Sequence, residues 1–325
     1  MTASISRTIL AIISVLFVPA VCLAQSTGPI ETIRVDSDLV DLKVSVVSLD
    51  PRRPTAELQQ SDFRVFEDGQ LQDISFFASA ETPFDLVLLL DLSASTNNKL
   101  KLIRKSAKRF VEASRPIDRV SVVTFTSTAE VVCPLTQDRT VLKKSIDDIG
   151  KAEGGTNFWD SLRYVLAILN ASKNSSRRSA VVVMTDGVDN ALPDVFGVGS
   201  QTTFDELRQI VHSSEAIVFP IYLDTEAEEW KRHRTSRYVF ALAKEQLAEL
   251  ANASGTSVYR AARLEDLNDV YQQVIRDLGR VYSIGYRPAN TSRDGKWRAV
   301  TVQIVDRQDV LARTKQGYFS TNVVD

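Results

Sequence analysis

Between residues 84 and 280, short apolar runs alternate with segments of helical periodicity. The runs 86–91, 119–125, 129–133, 179–185 and 216–222 are rich in Val, Leu and Ile and nearly free of charge. Strands covered on both faces read this way. Between them, Leu100, Ile103, Ala107 and Phe110 recur at helical spacing over 99–114, and 158–171, 203–213, 239–252 and 264–278 follow the same pattern. Such alternation predicts an α/β fold with a doubly wound, mostly parallel sheet and helices on both faces. A content of 44% apolar and 25% charged residues supports a folded chain with a sizeable core.

The flanks differ. In 33–80, Val40, Leu42, Val44 and Val46 alternate with Asp41, Lys43 and Ser45, the period of a half-buried strand. Phe63 and Val65 flank Arg64, Glu67-Asp68-Gly69-Gln70 gives a hairpin signal before a strand over Leu71–Phe77, and Asp50-Pro51-Arg52-Arg53-Pro54 reads as a loop. After residue 281, Tyr282, Ile284 and Tyr286 alternate, Asp294-Gly295 marks a turn, and 298–304 alternates again. Neither flank is long enough to build a core alone, so 25–83 and 281–325 are expected to pair into one small β-rich module beside a domain over 84–280.

Residues 1–24 carry Arg7 as their one charge, an apolar run from Ile9 to Val21 and the small-residue end Cys22-Leu23-Ala24. They read as a signal peptide, too short to be a good membrane span. The expected location is outside the cell, in the periplasm or in the cell envelope, with no membrane span after cleavage. Removing Arg7 shifts the formal net charge from −2 to −3, a weak field that points to no nucleic-acid partner. Cys133 then stands alone, so no disulfide framework is expected, and its apolar surroundings predict a buried thiol.

Oxygen-bearing side chains gather where the apolar runs end. Asp91, Ser93 and Ser95 follow the run Leu86–Leu90; Thr156 sits in Gly154-Gly155-Thr156-Asn157; Asp186 sits in Thr185-Asp186-Gly187, after the apolar stretch Ala180–Met184. In open α/β sheets, ligands bind at the carboxyl ends of strands. Carboxylates and hydroxyls suit a hard cation such as Mg²⁺, with Mn²⁺ and Ca²⁺ as alternatives.

The pattern Asp-x-Ser-x-Ser with a distant Thr and a distant Asp resembles the metal-ion-dependent adhesion site (MIDAS) of von Willebrand factor type A domains, over roughly residues 84–280. The resemblance implies Ser93 and Ser95 as direct ligands, Thr156 as a ligand that depends on conformation, and Asp91 and Asp186 as the charge supply. It also implies a fold of that family and the capture of a Glu or Asp carboxylate on a protein partner. The whole chain is similar to secreted bacterial proteins related to that family, through Asp62–Gly69 and Tyr282–Tyr286.

Other signals are weaker. A phosphotransferase-type aspartate would be followed two residues later by a second aspartate, where Ser93 stands. The two histidines fall at a predicted helix end, His212, and in the basic stretch Trp230–Arg234, His233. That stretch follows Glu226, Glu228 and Glu229 and reads as a solvated insertion. Gly197-Val198-Gly199 lacks the third glycine of a dinucleotide loop and reads as a flexible loop; Lys101, Arg104, Lys105 and Lys108 read as the solvated side of helix 99–114. The expected function is therefore secreted, non-enzymatic, cation-dependent protein binding as an adhesion or scaffold module. A metal-dependent hydrolase or phosphotransferase and an envelope protein with a stabilising metal are the alternatives. Oligomeric state is left open.

Overall fold

A computed structural model describes residues 39–49, 57–93, 100–151, 154–172, 176–231, 235–263 and 266–320, the side chains of 228–230 excepted. The signal-peptide reading, the Asp50–Pro54 loop, Ser95 and His233 lie outside the described residues. In chain order the elements are β1 (Val40–Ser48), β2 (Phe63–Glu67), β3 (Gln70–Gln72), β4 (Ile74–Ala78), β5 (Phe84–Asp91), α1 (Leu100–Ala113), β6 (Arg119–Phe125), β7 (Ala129–Thr136), α2 (Arg139–Asp148), α3 (Phe158–Ala171) and β8 (Arg178–Thr185). There follow α4 (Phe204–Ser213), β9 (Ile217–Leu223), α5 (Glu226–Lys231), α6 (Arg237–Ser254), β10 (Tyr259–Ala261), α7 (Leu267–Leu278), β11 (Val281–Tyr286), β12 (Trp297–Ile304), β13 (Val310–Arg313) and β14 (Gly317–Phe319).

The central sheet runs β10-β9-β8-β5-β6-β7. Every residue of β5 and β9 is buried, as expected for strands covered on both sides. Side chains alternate between two cores. Leu86, Leu88 and Leu90 of β5 and Ala180, Val182 and Met184 of β8 meet α1, α2 and α7 on one face. Val87, Leu89, Val181 and Val183 meet α3, α4 and α6 on the other. Truncating a residue such as Leu88, which is fully buried, to Ala is expected to cost about 2–5 kcal/mol. The chain starts at β5, winds to β6 and β7 on one side, then returns to β8, β9 and β10 on the other. The reversal leaves a crevice at the carboxyl ends of β5 and β8.

Four local readings need correction. The strand beginning at Ala129 pairs antiparallel with β6 and carries little burial beyond Cys133, because it is a sheet edge; Pro134, which has no N–H to donate, is tolerated there. The strand expected over Leu71–Phe77 divides into β3 and β4, which join different sheets. The insertion after β9 is helical over its described part, as α5. The basic side of α1 is also partly engaged rather than simply solvated: Arg104 donates to the Ile149 carbonyl, and Lys108 pairs with Asp147 at 2.6 Å.

The flanking strands form two further sheets, β13-β1-β11-β4 and β14-β12-β2-β3. Each joins strands from before β5 with strands from after α7: β1 pairs with β11, and β2 with β12, both antiparallel. The β2–β3 hairpin turns on Asp68 and Gly69, with φ of 48° and 81°, the left-handed pair such a turn requires. Between the sheets lies a third core with Leu42, Val44, Phe63, Val65, Tyr282, Ile284, Tyr286 and Val302. Its polar centre is Glu67, which accepts from Tyr286 Oη at 2.7 Å and Tyr318 Oη at 2.8 Å. Arg178 ties this core to the central sheet. Its guanidinium donates to Ser283 Oγ at 2.9 Å and to the carbonyls of Ala78 and Ser79 at 3.0 and 2.7 Å. Burial and the nearby Arg115 lower its pKa to about 10. Among the described residues, no helix is long and apolar enough to cross a membrane.

Candidate metal centre

Asp91 is the last residue of β5 and fully buried. Its Oδ1 accepts from the Ser93 N–H at 2.8 Å, folding the chain back over the strand end. Its Oδ2 accepts from Thr185 Oγ1 at 2.7 Å, and that hydroxyl in turn accepts from the Gly187 N–H at 3.0 Å. Asp186, first residue after the neighbouring β8, is 3% exposed. It accepts from the Val188 N–H at 3.1 Å and from Thr225 Oγ1, just beyond β9, at 2.8 Å. Burial and the negative charge of Asp186 push the Asp91 carboxyl up to about 7, against the lowering pull of its bonds to Ser93 and Thr185. Two acids held this way at one strand-end crevice favour a positive charge between them.

Ser93 is 4% exposed and Thr156 8%. Thr156 lies on the loop before α3, and its backbone is clamped at both polar groups. The Thr156 N–H donates to Asn190 Oδ1 at 3.1 Å, and its carbonyl accepts from the Asn190 N–H at 2.8 Å. Next to it, the Asn157 N–H donates to the Thr126 carbonyl at 2.9 Å. Asp189 fastens the same region from below. It accepts from the N–H groups of Trp159, Ala191 and Ser200 at 3.0, 2.8 and 3.0 Å, and from Ser200 Oγ at 2.6 Å. Four of the five expected residues thus sit at the carboxyl end of the sheet, Asp91 as the last residue of β5 and Ser93, Thr156 and Asp186 on loops; Ser95 lies outside the described residues.

The oxygen set suits a hard divalent cation. Asn157 Oδ1, one residue beyond Thr156, is a buried acceptor with no hydrogen-bond partner among the described residues. No cluster of three or more His, Cys, Asp or Glu side chains is found among them either. A cation at this place would meet two carboxylates and neutral oxygens, a set that suits Mg²⁺ better than a soft metal.

Sequence reasoning missed Thr185, Thr225, Asn190 and Asp189. Thr185 and Thr225 carried a usable signal, being hydroxyls at the ends of apolar runs like the residues singled out. Asn190 and Asp189 carried none, because the bonds that tie them to the Thr156 loop, to the Thr156 and Trp159 N–H groups, join backbone groups some 30 residues away. The glycines of Gly197-Val198-Gly199 are also explained by packing and not by flexibility. A Cβ on Gly199 would sit 1.9 Å from the Ala191 nitrogen, and one on Gly197 would sit 2.3 Å from Asn190 Nδ2.

Residues 86–188 match the family model of the von Willebrand factor type A domain. The chain carries a von Willebrand factor type A domain. Among curated proteins it is similar to the collagen alpha-1(VI) chain of Gallus gallus, 27% identical over 161 residues, covering 42% of this chain and 16% of that one. It is also similar to a UPF0353 protein of Nocardia farcinica, 26% identical over 211 residues, covering 60% of this chain and 63% of that one. The chain thus spans less than two thirds of either relative. Among solved structures, a von Willebrand factor type A protein from Catenulispora acidiphila superposes with a TM-score of 0.49 at 14% identity, covering 82% of this chain and 76% of that one. The von Willebrand factor domain of the type V pili tip protein Mfa5 from Porphyromonas gingivalis gives 0.46 at 14% identity, covering 60% and 94%. Domains of this family are commonly protein-binding modules.

Proposed function

We propose that this chain is an exported, non-enzymatic protein-binding module in which Asp91, Ser93, Ser95, Thr156 and Asp186 hold a divalent cation, Mg²⁺ first and Mn²⁺ or Ca²⁺ as alternatives. The supporting observation is the pair of buried aspartates at adjacent strand ends, with the Asp91 carboxyl raised to about 7 by burial and by Asp186. When bound, the cation supplies an electrophilic position for one further oxygen, here a Glu or Asp carboxylate of a partner protein. The chain's own residues do the positioning. Thr185 and Thr225 orient the two carboxylates by donating to one oxygen of each, and Asn190 fixes the Thr156 backbone. The non-enzymatic reading is supported by His212, which closes α4 away from the strand carboxyl ends, its ring 5.1 Å from that of Trp297.

The test is calorimetric titration of Mg²⁺ into the exported chain, beside Asp91→Ala and Asp186→Ala. Saturable binding in the parent and in neither variant supports the reading. Absence of Mg²⁺, Mn²⁺ and Ca²⁺ binding in the parent favours a module without metal chemistry. Export after residue 24 is checked by the mass of the protein recovered outside the cytoplasm. The proposed division into 25–83, 84–280 and 281–325 is checked by limited proteolysis, in which the two β segments should remain together.

A further inference from the structure

Beside the candidate metal centre stands an apolar knob. Phe196 is 93% exposed and Val198 84% exposed, on the loop that leaves Asp186. Exposed aromatic and branched side chains on loops commonly mark contact surfaces. Here the backbone holds them out. Leu192 and Val195 turn into the core beside α3, α4 and α6, and the Val195 N–H donates to the Leu192 carbonyl at 3.3 Å. Asp194 and Gly197 take left-handed conformations, with φ of 60° and 116°. Asp189 closes the loop by accepting from both the Ala191 and Ser200 N–H groups, at 2.8 and 3.0 Å.

One side chain links the knob to the cation-binding loop. Asn190 Oδ1 accepts from the Thr156 N–H at 3.1 Å, while Asn190 Nδ2 donates to the Phe196 carbonyl at 3.0 Å. The amide sits between two glycines. A Cβ on Gly155 would lie 2.5 Å from Nδ2, and one on Gly197 2.3 Å from it. Moving Phe196 relative to Thr156 therefore requires breaking a hydrogen bond of this amide.

We infer that Phe196 and Val198 are the second contact of the partner-binding surface, held in register with Thr156 by Asn190, and that the partner is a protein presenting a carboxylate beside an apolar hollow. The inference rests on the proposed cation-dependent function. The charge around the knob separates a protein from a lipid surface. Asp194 is exposed two residues before Phe196, and Asp189 fastens the base of the loop, so the loop carries negative charge and anionic lipid is repelled. A carboxylate approaches this acidic end only through a bound cation, while the apolar contact adds affinity without charge.

The test uses the full exported chain, its Phe196→Ser/Val198→Ser double variant and Asn190→Ala. A phage-displayed random peptide library is panned on the parent in Mg²⁺ and eluted with chelator. The expected peptides carry an acidic residue close to apolar ones. A synthetic copy should bind the double variant about tenfold or more weakly, since the apolar burial is lost. Mg²⁺ alone, titrated by calorimetry, should bind the double variant as it binds the parent. Asn190→Ala should weaken both Mg²⁺ and peptide. Peptides that bind parent and double variant equally, or a failure to select any chelator-eluted peptide from a parent that binds Mg²⁺, overturn the inference and leave the metal site standing. Parent protein that dimerises through Phe196 in sedimentation, or that sediments with phosphatidylcholine vesicles through it, also overturns it by naming another occupant. Loss of Mg²⁺ binding from the parent itself overturns the underlying function instead.

Discussion

The two ends of β5 carry one buried aspartate each, and the protein treats them in opposite ways. At the amino end, Asp85 accepts from Arg119 and from Arg177, whose Nε lies 2.6 Å away. Burial alone would raise its pKa, but the two guanidinium groups outweigh that and hold it below the usual carboxylate value. At the carboxyl end, Asp91 meets hydroxyl and backbone donors and a second acid, Asp186, and is raised to about 7. The amino end is neutralised within the chain, as a structural ion-pair network should be. The carboxyl end gathers negative charge in a crevice. Perturbed pairs of this kind mark functional sites more often than structural ones.

In chelator, Asp85→Ala should be the more damaging of the two aspartate changes, because it leaves the Arg119 and Arg177 guanidinium groups without their shared buried partner. We expect a loss on the order of 2–4 kcal/mol by urea unfolding, equal in Mg²⁺ and in chelator. Asp91→Ala should behave differently. In chelator it should cost under about 1 kcal/mol, since it relieves repulsion with Asp186. In Mg²⁺ at a hundredfold excess over its Kd, it should forfeit the roughly 2.7 kcal/mol that ligand binding adds to the parent. Equal losses for the two variants in chelator would erase the contrast.

The pH dependence sharpens it. An acid raised from 3.8 to about 7 binds its proton more tightly in the folded state, so chelated protein should gain stability as pH falls through 7. The gain should vanish in Asp91→Asn, which has no proton to bind. Asp85 runs the other way. Its contribution is present above the ordinary carboxylate value and is lost only as pH falls through its lower folded value. Thermal melts from pH 8 to 3 in chelator should therefore rise and then fall. A monotonic fall would mean that burial and Asp186 do not raise the Asp91 carboxyl. The smallest effect is expected from Thr156→Ala, which removes one neutral oxygen. Mg²⁺ affinity should drop severalfold, while stability in chelator stays within about 0.5 kcal/mol.

Much of the central domain was legible because buried parallel strands and the helices over them write their own periods. β5, β6, β8 and β9 were placed within two residues of their ends, since nearly every side chain in them is buried. β7 misled because it lies on an edge, where Val131 is exposed and only Cys133 is buried. Helix α2 went unread. Only Leu142 and Ile146 of its residues are buried, too few for a clear period, and its best local signal is the cap in which Asp138 accepts from the Thr140 and Val141 N–H groups. At the candidate site, Asp91, Ser93, Thr156 and Asp186 were readable because each follows an apolar run or a glycine pair.

By itself, the sequence determined which segments are strands or helices over most of the chain, and which hydroxyls and carboxylates stand at strand ends. These are local matters of spacing and of the side chains' taste for water. Only the tertiary structure decided that β1 and β11, some 240 residues apart, share a sheet, that Arg178 joins it to β8, and that one amide, Asn190, serves both Thr156 and Phe196. Those partners are backbone carbonyls, N–H groups and strand edges. Every residue carries such groups, so no residue type announces them, and only the folded chain selects which ones meet.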